Sequence, residues 1–183
     1  KLDAMLIGGG MAYTFLKAKG LEIGRSIFEE DRLVTTRSIM ARAEREAFPL
    51  HLTQDHIIAR GLDDTGKTII VDAVEMPEDW SALDIGPRTV ESFCSVIRTA
   101  GAVLWNGPMG VFEIDAFSSG TEAVGKALAE SDAVSVVCGG ETVAAATRMG
   151  IADKVSHLST GGGAALEFLE GKELPGITSL DEA

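Results

Sequence analysis

The fold is decided by the stretch Val134-Ser135-Val136-Val137-Cys138-Gly139-Gly140-Glu141-Thr142, which carries a continuous apolar run through a glycine turn into a helical pattern. Similar apolar runs at residues 4–7, 102–105 and 155–158 are also followed by glycine turns and helical patterns. Continuous apolar runs are typical of strands that are covered on both faces. The sequence therefore predicts an α/β fold, with a parallel sheet and helices on both of its faces.

Helical patterns separate these runs, and they span residues 11–19, 29–47, 88–100, 115–130, 141–149 and 164–170. Two further apolar runs, at residues 57–59 and 68–71, flank a polar turn and predict a hairpin. The tail beyond Gly171 predicts an extended segment. Because no repeat, low-complexity stretch or linker interrupts the pattern, we expect residues 1–183 to form a single domain.

The charge balance excludes two classes of partner. The 183 residues hold 16 Lys and Arg against 28 Asp and Glu, which gives a formal net charge of −12. Nucleic acids and anionic membrane surfaces attract basic proteins, so we expect this chain to bind neither. The apolar runs are far shorter than a membrane span, and the two cysteines have no metal-ligand spacing. These features predict a cytoplasmic protein.

Residues 61–68 match the phosphate-binding pattern G-x-x-x-x-G-K-[ST], but their chemistry argues against that function. In a phosphate-binding loop the lysine opens a helix, whereas Lys67 is followed by a β-branched run that favours a strand. Asp63 and Asp64 would also repel phosphate. The sequence predicts a surface turn here.

Three glycine turns are better suited to anions: Gly8-Gly9-Gly10, Gly139-Gly140-Glu141-Thr142, and Thr160-Gly161-Gly162-Gly163. Each leads into a helical pattern, where free backbone amides attract negative charge, and parallel strands bring such turns to one edge of the sheet. The alternative is that these glycines only make tight turns. A dinucleotide fingerprint is disfavoured, because bulky Tyr13 and Leu166 occupy its third glycine position.

The segment from Trp105 to Glu113 offers polar groups beside an apolar wall. Asn106 and Glu113 flank Met109 and Val111, an arrangement that suits sugar hydroxyls next to a base. Alternatively, Asn106 caps the turn and Glu113 begins a helix.

Glu141 directly follows a glycine turn at a helix start. Its carboxylate suits Mg²⁺, with Thr142 adding a hydroxyl or an amide for phosphate, although an acidic residue is also common in the first turn of a helix. None of the three glycine turns contains a lysine or arginine. Transfer of a phosphoryl group would therefore need positive charge from Mg²⁺ and from residues outside this chain.

Taken together and in order, several segments closely resemble the phosphoglycerate kinase family; they span residues 6–15, 84–87, 105–113, 154–157, 159–164 and 169–176. The resemblance covers the C-terminal, nucleotide-binding domain of that family without its opening strand. It implies a Rossmann-like three-layer α/β/α fold that is incomplete at its N-terminal edge. With its initial Lys1 instead of Met, the chain is expected to be an N-terminally truncated piece of a longer protein.

The resemblance also implies roles for individual residues. Those around adenine would be Gly9, Gly10, Ile27, Ala82, Leu83 and Val111, with Ala82 standing where the family usually has glycine. Asn106 and Pro108 would lie along the ribose and phosphates, and Glu113 would bind the ribose hydroxyls. The amides of Gly140 and Gly163 would face the transferred phosphoryl group, Thr142 would contact the nucleotide phosphates, and Glu141 would bind Mg²⁺ where the family usually has Asp.

The implied reaction is reversible phosphoryl transfer between 1,3-bisphosphoglycerate and ADP, which gives 3-phosphoglycerate and ATP in glycolysis. The full-length protein would be a monomer that binds the phosphoglycerate through its N-terminal domain. We expect the chain alone to bind Mg·ADP or Mg·ATP without turnover. The alternative is a free-standing nucleotide-binding module without catalysis.

Overall fold

The computed structural model describes residues 2–179 of the chain. Its strands are β1 (Met5–Ile7), β2 (Leu50–Leu52), β3 (Asp55–Ala59), β4 (Ile69–Asp72), β5 (Ser81–Ile85), β6 (Ala102–Asn106), β7 (Val134–Cys138) and β8 (His157–Ser159). Its α-helices are α1 (Gly9–Ala18), α2 (Leu33–Arg45), α3 (Pro87–Thr99), α4 (Ser119–Ala129), α5 (Gly140–Arg148), α6 (Gly162–Leu169) and α7 (Pro175–Thr178). The predicted α/β fold class is confirmed.

The strands β6, β7 and β8 form a parallel sheet, with Trp105 opposite Val137 and Cys138 opposite Ser159. All three strands therefore end at the same edge. The prediction placed the last strand at residues 155–158, two residues too early. Before β8 begins, Ser156 and Ser135 exchange hydrogen bonds between each residue's backbone N–H and the other's Oγ at 3.0 Å, and these bonds replace the strand ladder at that point.

The sequence predicted one parallel sheet, whereas the described strands form more than one sheet. The described strands fall into three sheets: the parallel pair β1-β2, the antiparallel sheet β4-β3-β5, and the parallel sheet β6-β7-β8. Neither β2 nor β5 was predicted as a strand. The segment β2 has only three residues, and β5 carries Asp84 in its interior and so lacks a continuous apolar run.

The predicted hairpin is confirmed, since β3 and β4 pair antiparallel with Ile58 opposite Ile69. Lys67 thus precedes a strand rather than a helix. The rejection of residues 61–68 as a phosphate-binding loop is therefore borne out by the local structure.

The helices lie where the sequence predicts them, with shifted ends. The prediction for residues 29–47 becomes a 3₁₀ turn (Glu30–Arg32) followed by α2, which ends before Ala47 because that residue has a φ of +50°. The prediction for residues 115–130 likewise splits into a 3₁₀ turn (Asp115–Phe117) and α4. The predicted extended tail contains α7, which Pro175 opens at its first position, and the last residues of that tail lie outside the described range.

The largest cluster of buried side chains packs α3, α4 and α5 against the sheet β6-β7-β8. Its members include Phe93, Trp105, Leu128, Val137 and Ala146. Both cysteines are buried and free, which confirms them as small core residues. No helix within residues 2–179 combines the length and the apolar character that crossing a membrane requires.

A buried histidine lies in the antiparallel sheet. The side chain of His56 is fully buried, its ring centroid lies 5.3 Å from that of Tyr13, and neither ring nitrogen has a hydrogen-bond partner among the described residues. Burial lowers the pKa of His56 to about 4, and the nearby Asp55 carboxylate opposes that shift. His56 is therefore neutral in the folded protein at neutral pH.

The stability of the chain is expected to depend on His56 in acid. Since the pKa of His56 is 6.5 unfolded and about 4 folded, its contribution to stability is present above pH 6.5 and is lost as the pH falls towards 4. A His56→Leu variant lacks this loss, so its free energy of unfolding should rise relative to wild type by up to about 3 kcal/mol between pH 7 and pH 4. Urea unfolding of both proteins across this range measures the difference. A constant difference at all pH values would contradict the expectation.

Candidate functional site

The turns that follow β6, β7 and β8 touch one another. A Cβ atom added to Gly162 would lie 2.9 Å from the Cα of Gly139, and one added to Gly139 would lie 3.0 Å from Oδ1 of Asn106. Gly139 has a φ of +88°, a conformation that L-residues rarely adopt. The close approach of these turns thus depends on glycine.

The turn after β1 joins the same edge. Gly9 has a φ of +59°, and a Cβ atom there would lie 2.5 Å from the carbonyl oxygen of Pro108. The N-termini of α1, α5 and α6 therefore gather around the segment that follows β6. The expectation that the three glycine turns lie at one edge of the fold agrees with this arrangement.

The segment from Asn106 to Glu113 is held through its backbone. The Gly107 N–H donates to Oγ1 of Thr142 at 2.7 Å. Oγ1 of Thr121 accepts from the next two backbone N–H groups, at 3.0 Å from Met109 and 3.3 Å from Gly110. The Val111 N–H donates to the Leu83 carbonyl at 2.9 Å. Helices α4 and α5 and strand β5 thus fix this segment.

Asp84 binds the start of α4, the helix that holds the segment from Asn106 to Glu113. It is fully buried, and its carboxylate accepts hydrogen bonds from the N–H of Gly120 at 2.7 Å, Oγ of Ser119 at 3.0 Å and the N–H of Ile85 at 2.9 Å. Burial raises the pKa of Asp84 to about 6, although its hydrogen bonds oppose that shift. The carboxylate takes the place of an N-terminal cap on α4.

Arg148, at the last position of α5, holds the far end of the segment. Its Nη1 donates to the carbonyl oxygens of Phe112 at 3.0 Å and Glu113 at 3.2 Å. Its Nη2 lies 2.6 Å from Oδ1 of Asp115. The Arg148 guanidinium group therefore binds the backbone at Glu113 itself and at the residue before it.

The residues expected around adenine form two contacts. Gly10 faces Ile27, since a Cβ atom on Gly10 would lie 2.9 Å from Cδ1 of Ile27, whose side chain is 74% exposed. Leu83 and Val111, both half-buried, are joined by the hydrogen bond already described. Ala82 is 6% exposed and packs with Tyr13 and Ile58 in a separate cluster, so its side chain points into the core.

The residues expected at the phosphates differ in exposure. Gly140 and Gly163 are exposed, and a Cβ atom on either would meet open space. Glu141 is exposed as well. The side chain of Thr142 is 1% exposed and is engaged by Gly107, so the structure uses its hydroxyl to hold the segment after β6.

Asn106 and Glu113 are exposed at opposite ends of that segment. Asn106 lies against the next turn through its Oδ1, as noted, while the side chain of Glu113 makes no hydrogen bond or ion pair with any residue in the range 2–179. Glu113 precedes the 3₁₀ turn Asp115–Phe117 and does not begin α4. Pro108, between them, is half-buried.

The described residues contain no group of three or more His, Cys, Asp or Glu side chains placed to hold a metal ion. Mg²⁺ does not need such a group, because it is commonly bound by one or two carboxylates, phosphate oxygens and water. Glu141 fits that mode, since it is exposed at the N-terminus of α5 and its carboxylate has no partner in the described part of the chain.

Two cavities, of about 420 and 340 Å³, lie elsewhere. The larger is behind the segment after β6, between α4 and α5, and is lined in part by Phe112, Thr121 and Arg148. None of the residues expected to bind nucleotide lines either cavity. Both of these cavities are therefore separate from the candidate site, which is built from turns.

Comparison with known proteins gives one consistent family. The family model for phosphoglycerate kinase matches residues 1–172. Curated phosphoglycerate kinases from Clostridium novyi and Chloroflexus aurantiacus are 47% and 49% identical to the chain, and each match covers 100% of the chain and 46% of the relative. The chain therefore spans a little under half the length of these relatives.

Solved structures that resemble this chain belong to the same family. The structure of phosphoglycerate kinase from Coxiella burnetii superposes with a TM-score of 0.92 at 42% identity, covering 97% of this chain and 46% of that one. Phosphoglycerate kinase from Pyrococcus horikoshii superposes with a TM-score of 0.74 at 31% identity, covering 96% and 44%.

Proposed function

The chain belongs to the phosphoglycerate kinase family, and on that premise we propose that it is the nucleotide-binding part of a phosphotransferase. The proposed reaction is reversible phosphoryl transfer between 1,3-bisphosphoglycerate and ADP, giving 3-phosphoglycerate and ATP in glycolysis. The observation that carries the proposal is the meeting of three helix N-termini around the segment from Asn106 to Glu113. Helix N-termini attract phosphate through free N–H groups and the helix dipole.

The base and the sugar are assigned to the outer part of the surface. Ile27 and Gly10 form one apolar wall for adenine, and Leu83 and Val111 form the other. Glu113 is exposed and has a carboxylate free to accept hydrogen bonds from the ribose hydroxyls. Asn106 and Pro108 lie along the path from the ribose to the phosphates.

The phosphates are assigned to the N-termini of α5 and α6. The amides of Gly140 and Gly163 border open space, so a phosphoryl group can approach them closely. Catalysis of this kind depends on positioning and on charge stabilisation. Glu141 would hold Mg²⁺, which supplies the positive charge that the three turns lack. Thr142 contributes by holding Gly107, and so positions the turn that borders the phosphates.

Turnover is assigned to the longer protein. The chain spans 46% of the length of its relatives, and the glycine turns hold no cationic side chain. We therefore propose that it binds Mg·ADP or Mg·ATP alone, and that the remainder of a monomeric, cytoplasmic full-length enzyme binds 3-phosphoglycerate or 1,3-bisphosphoglycerate. Consumption of ATP by the 183-residue chain on addition of 3-phosphoglycerate would overturn this division of roles.

The alternative function, a nucleotide-binding module without catalysis, is favoured by the absence of lysine and arginine from the glycine turns. A chimeric protein distinguishes the kinase from the module without catalysis. The chain is joined to the part of the Clostridium novyi relative that it does not span, and ATP consumption is measured with 3-phosphoglycerate. Turnover supports the kinase, whereas nucleotide binding without turnover supports the module.

Nucleotide binding is tested by calorimetric titration of ADP into the wild type and two variants. Glu113→Ala is expected to raise the Kd for ADP about tenfold with or without Mg²⁺, because a charge-assisted hydrogen bond to the ribose is lost. Glu141→Ala is expected to raise the Kd by a similar factor when Mg²⁺ is present and to have little effect without it.

The control is Glu44→Ala, which makes the same change of charge at an exposed position on α2. It should bind ADP as the wild type does. If Glu44→Ala weakens binding as much as the two site variants, the effect is one of net charge and the assignment of Glu113 and Glu141 is wrong.

A further inference from the structure

We propose that Arg148 is a positioning residue that fixes Glu113 and thereby sets the preference of the site for an intact ribose. The inference rests on the proposed function, because it assumes that Glu113 faces the nucleotide sugar. Arg148 itself is not expected to touch the nucleotide.

Helix α5 connects the turn assigned to the phosphates with the residues around Glu113. The helix begins at the turn assigned to the phosphates and ends at Arg148, and its nine residues extend about 13 Å. Near its start, Thr142 accepts a hydrogen bond from the N–H of Gly107. At its end, Arg148 donates to the carbonyls of Phe112 and Glu113. One helix therefore holds both ends of the segment from residue 107 to residue 113.

Among the described residues, Arg148 is the only protein donor to the carbonyl oxygens of Phe112 and Glu113. Short turns continue the backbone beyond them, through the bond from the Ile114 N–H to the Val111 carbonyl at 3.0 Å. The direction in which Glu113 projects thus depends on the guanidinium group.

Of the contacts that Arg148 makes, those to the two backbone carbonyls matter more than the one to Asp115. Asp115 lies 2.6 Å from Arg148, but its side chain is 92% exposed and that of Arg148 is 48% exposed. Exposed ion pairs contribute little to stability. The two charge-assisted bonds from Arg148 to neighbouring carbonyls fix the orientation of the backbone at Phe112 and Glu113. Removing Asp115 should therefore have a much smaller effect than removing Arg148.

Arg148 is not placed to bind an anionic ligand directly. Arg148 lines the cavity of about 420 Å³ behind the segment, together with Lys126 and Lys154, and its guanidinium is already bound to two carbonyls and a carboxylate. It faces the back of the segment, while Glu113 is exposed to solvent. Arg148 acts on a ligand only through the segment.

The test compares two nucleotides, ADP and 2′,3′-dideoxy-ADP, titrated with Mg²⁺ into the whole chain. The wild type is expected to bind ADP more tightly, because Glu113 accepts hydrogen bonds from the ribose hydroxyls that the dideoxy nucleotide lacks. Arg148→Met is expected to raise the Kd for ADP about tenfold and to leave that for 2′,3′-dideoxy-ADP within about twofold, so that the preference is lost. If Arg148 had only a structural role, Arg148→Met would weaken the binding of both nucleotides by the same factor.

Three further variants complete the test. Arg148→Lys retains a cation that reaches one carbonyl, so it should restore part of the preference. Asp115→Asn should keep most of it. Lys126→Met removes a cation from the same cavity without touching the segment, and should keep all of it.

An unchanged ratio of the two Kd values in Arg148→Met overturns the inference. If that variant does not fold, an unchanged ratio in Arg148→Lys overturns it equally. A wild type that fails to bind ADP overturns the proposed function, and this inference falls with it. A wild type that binds both nucleotides equally overturns only the assignment of Glu113 and Arg148 to the sugar.

Discussion

An Asp84→Ala variant is expected to lose about 3 kcal/mol of unfolding free energy. The substitution removes the acceptor for two backbone N–H groups, those of Gly120 and Ile85, and for the hydroxyl of Ser119. The carboxylate is fully buried, so the two N–H groups have no access to water in exchange. Loss of the α4 cap also loosens Thr121, which holds the segment after β6, and nucleotide affinity should fall together with stability.

Urea unfolding at pH 7 measures the effect, with the midpoint and the slope fitted separately. Ser119→Ala is the matched control, because it removes one exposed partner of the same carboxylate and should cost less than about 1 kcal/mol. Equal stability of the two variants would show that Asp84 does not hold the start of α4.

Gly139→Ala is expected to have the second large effect. The φ of +88° at Gly139 is unfavourable for alanine, and the strain costs about 2 kcal/mol. The new methyl group would also lie 3.0 Å from Oδ1 of Asn106, so that side chain must shift by a few tenths of an ångström. We expect the Kd for Mg·ADP to rise at least about tenfold, because the amides at the start of α5 lose their alignment with those of α6.

The neighbouring residue provides the control. Apart from its chain neighbours and the backbone of its own helix, a methyl group on Gly140 meets no atom of the described residues within 4 Å. Alanine also favours a helix over glycine by up to about 1 kcal/mol. Gly140→Ala should therefore unfold at the same or a higher urea concentration than wild type, yet bind Mg·ADP more weakly if phosphate approaches that amide. Wild-type stability in Gly139→Ala would contradict the role assigned to the positive φ.

The sequence predicted the strands whose signal is local. Continuous apolar runs followed by glycine identified β1, β6 and β7, and the polar turn between β-branched runs identified the hairpin of β3 and β4. The strand β5 was not predicted, because Asp84 interrupts its apolar pattern. That interruption was itself a usable signal, since a lone carboxylate inside a strand needs hydrogen-bond donors from elsewhere in the fold.

The meeting of the glycine turns was also predictable, because parallel strands end at one edge of a sheet. The supporting contacts were not. Thr121 and Arg148 bond to backbone groups 11 to 36 residues away along the chain. Any residue type can supply such a backbone group, so the sequence gives no signal for these bonds. The buried position of the Thr142 side chain was missed for the same reason.

The two buried groups with displaced pKa values, His56 and Asp84, exchange protons with the buffer in opposite directions. At pH 5, unfolding lets His56 take up almost one proton, because its pKa rises from about 4 to 6.5. Over the same step Asp84 releases almost one, because its pKa falls from about 6 to 3.8. The part of the Asp84 contribution to stability that depends on its protonation is full below pH 3.8 and fades as the pH rises through 6, which is the reverse of the contribution of His56. The proton uptake of His56 and the proton release of Asp84 therefore largely cancel at pH 5. The His56→Leu variant removes the uptake, so its heat of unfolding at pH 5 should depend more strongly on the ionisation enthalpy of the buffer than that of the wild type.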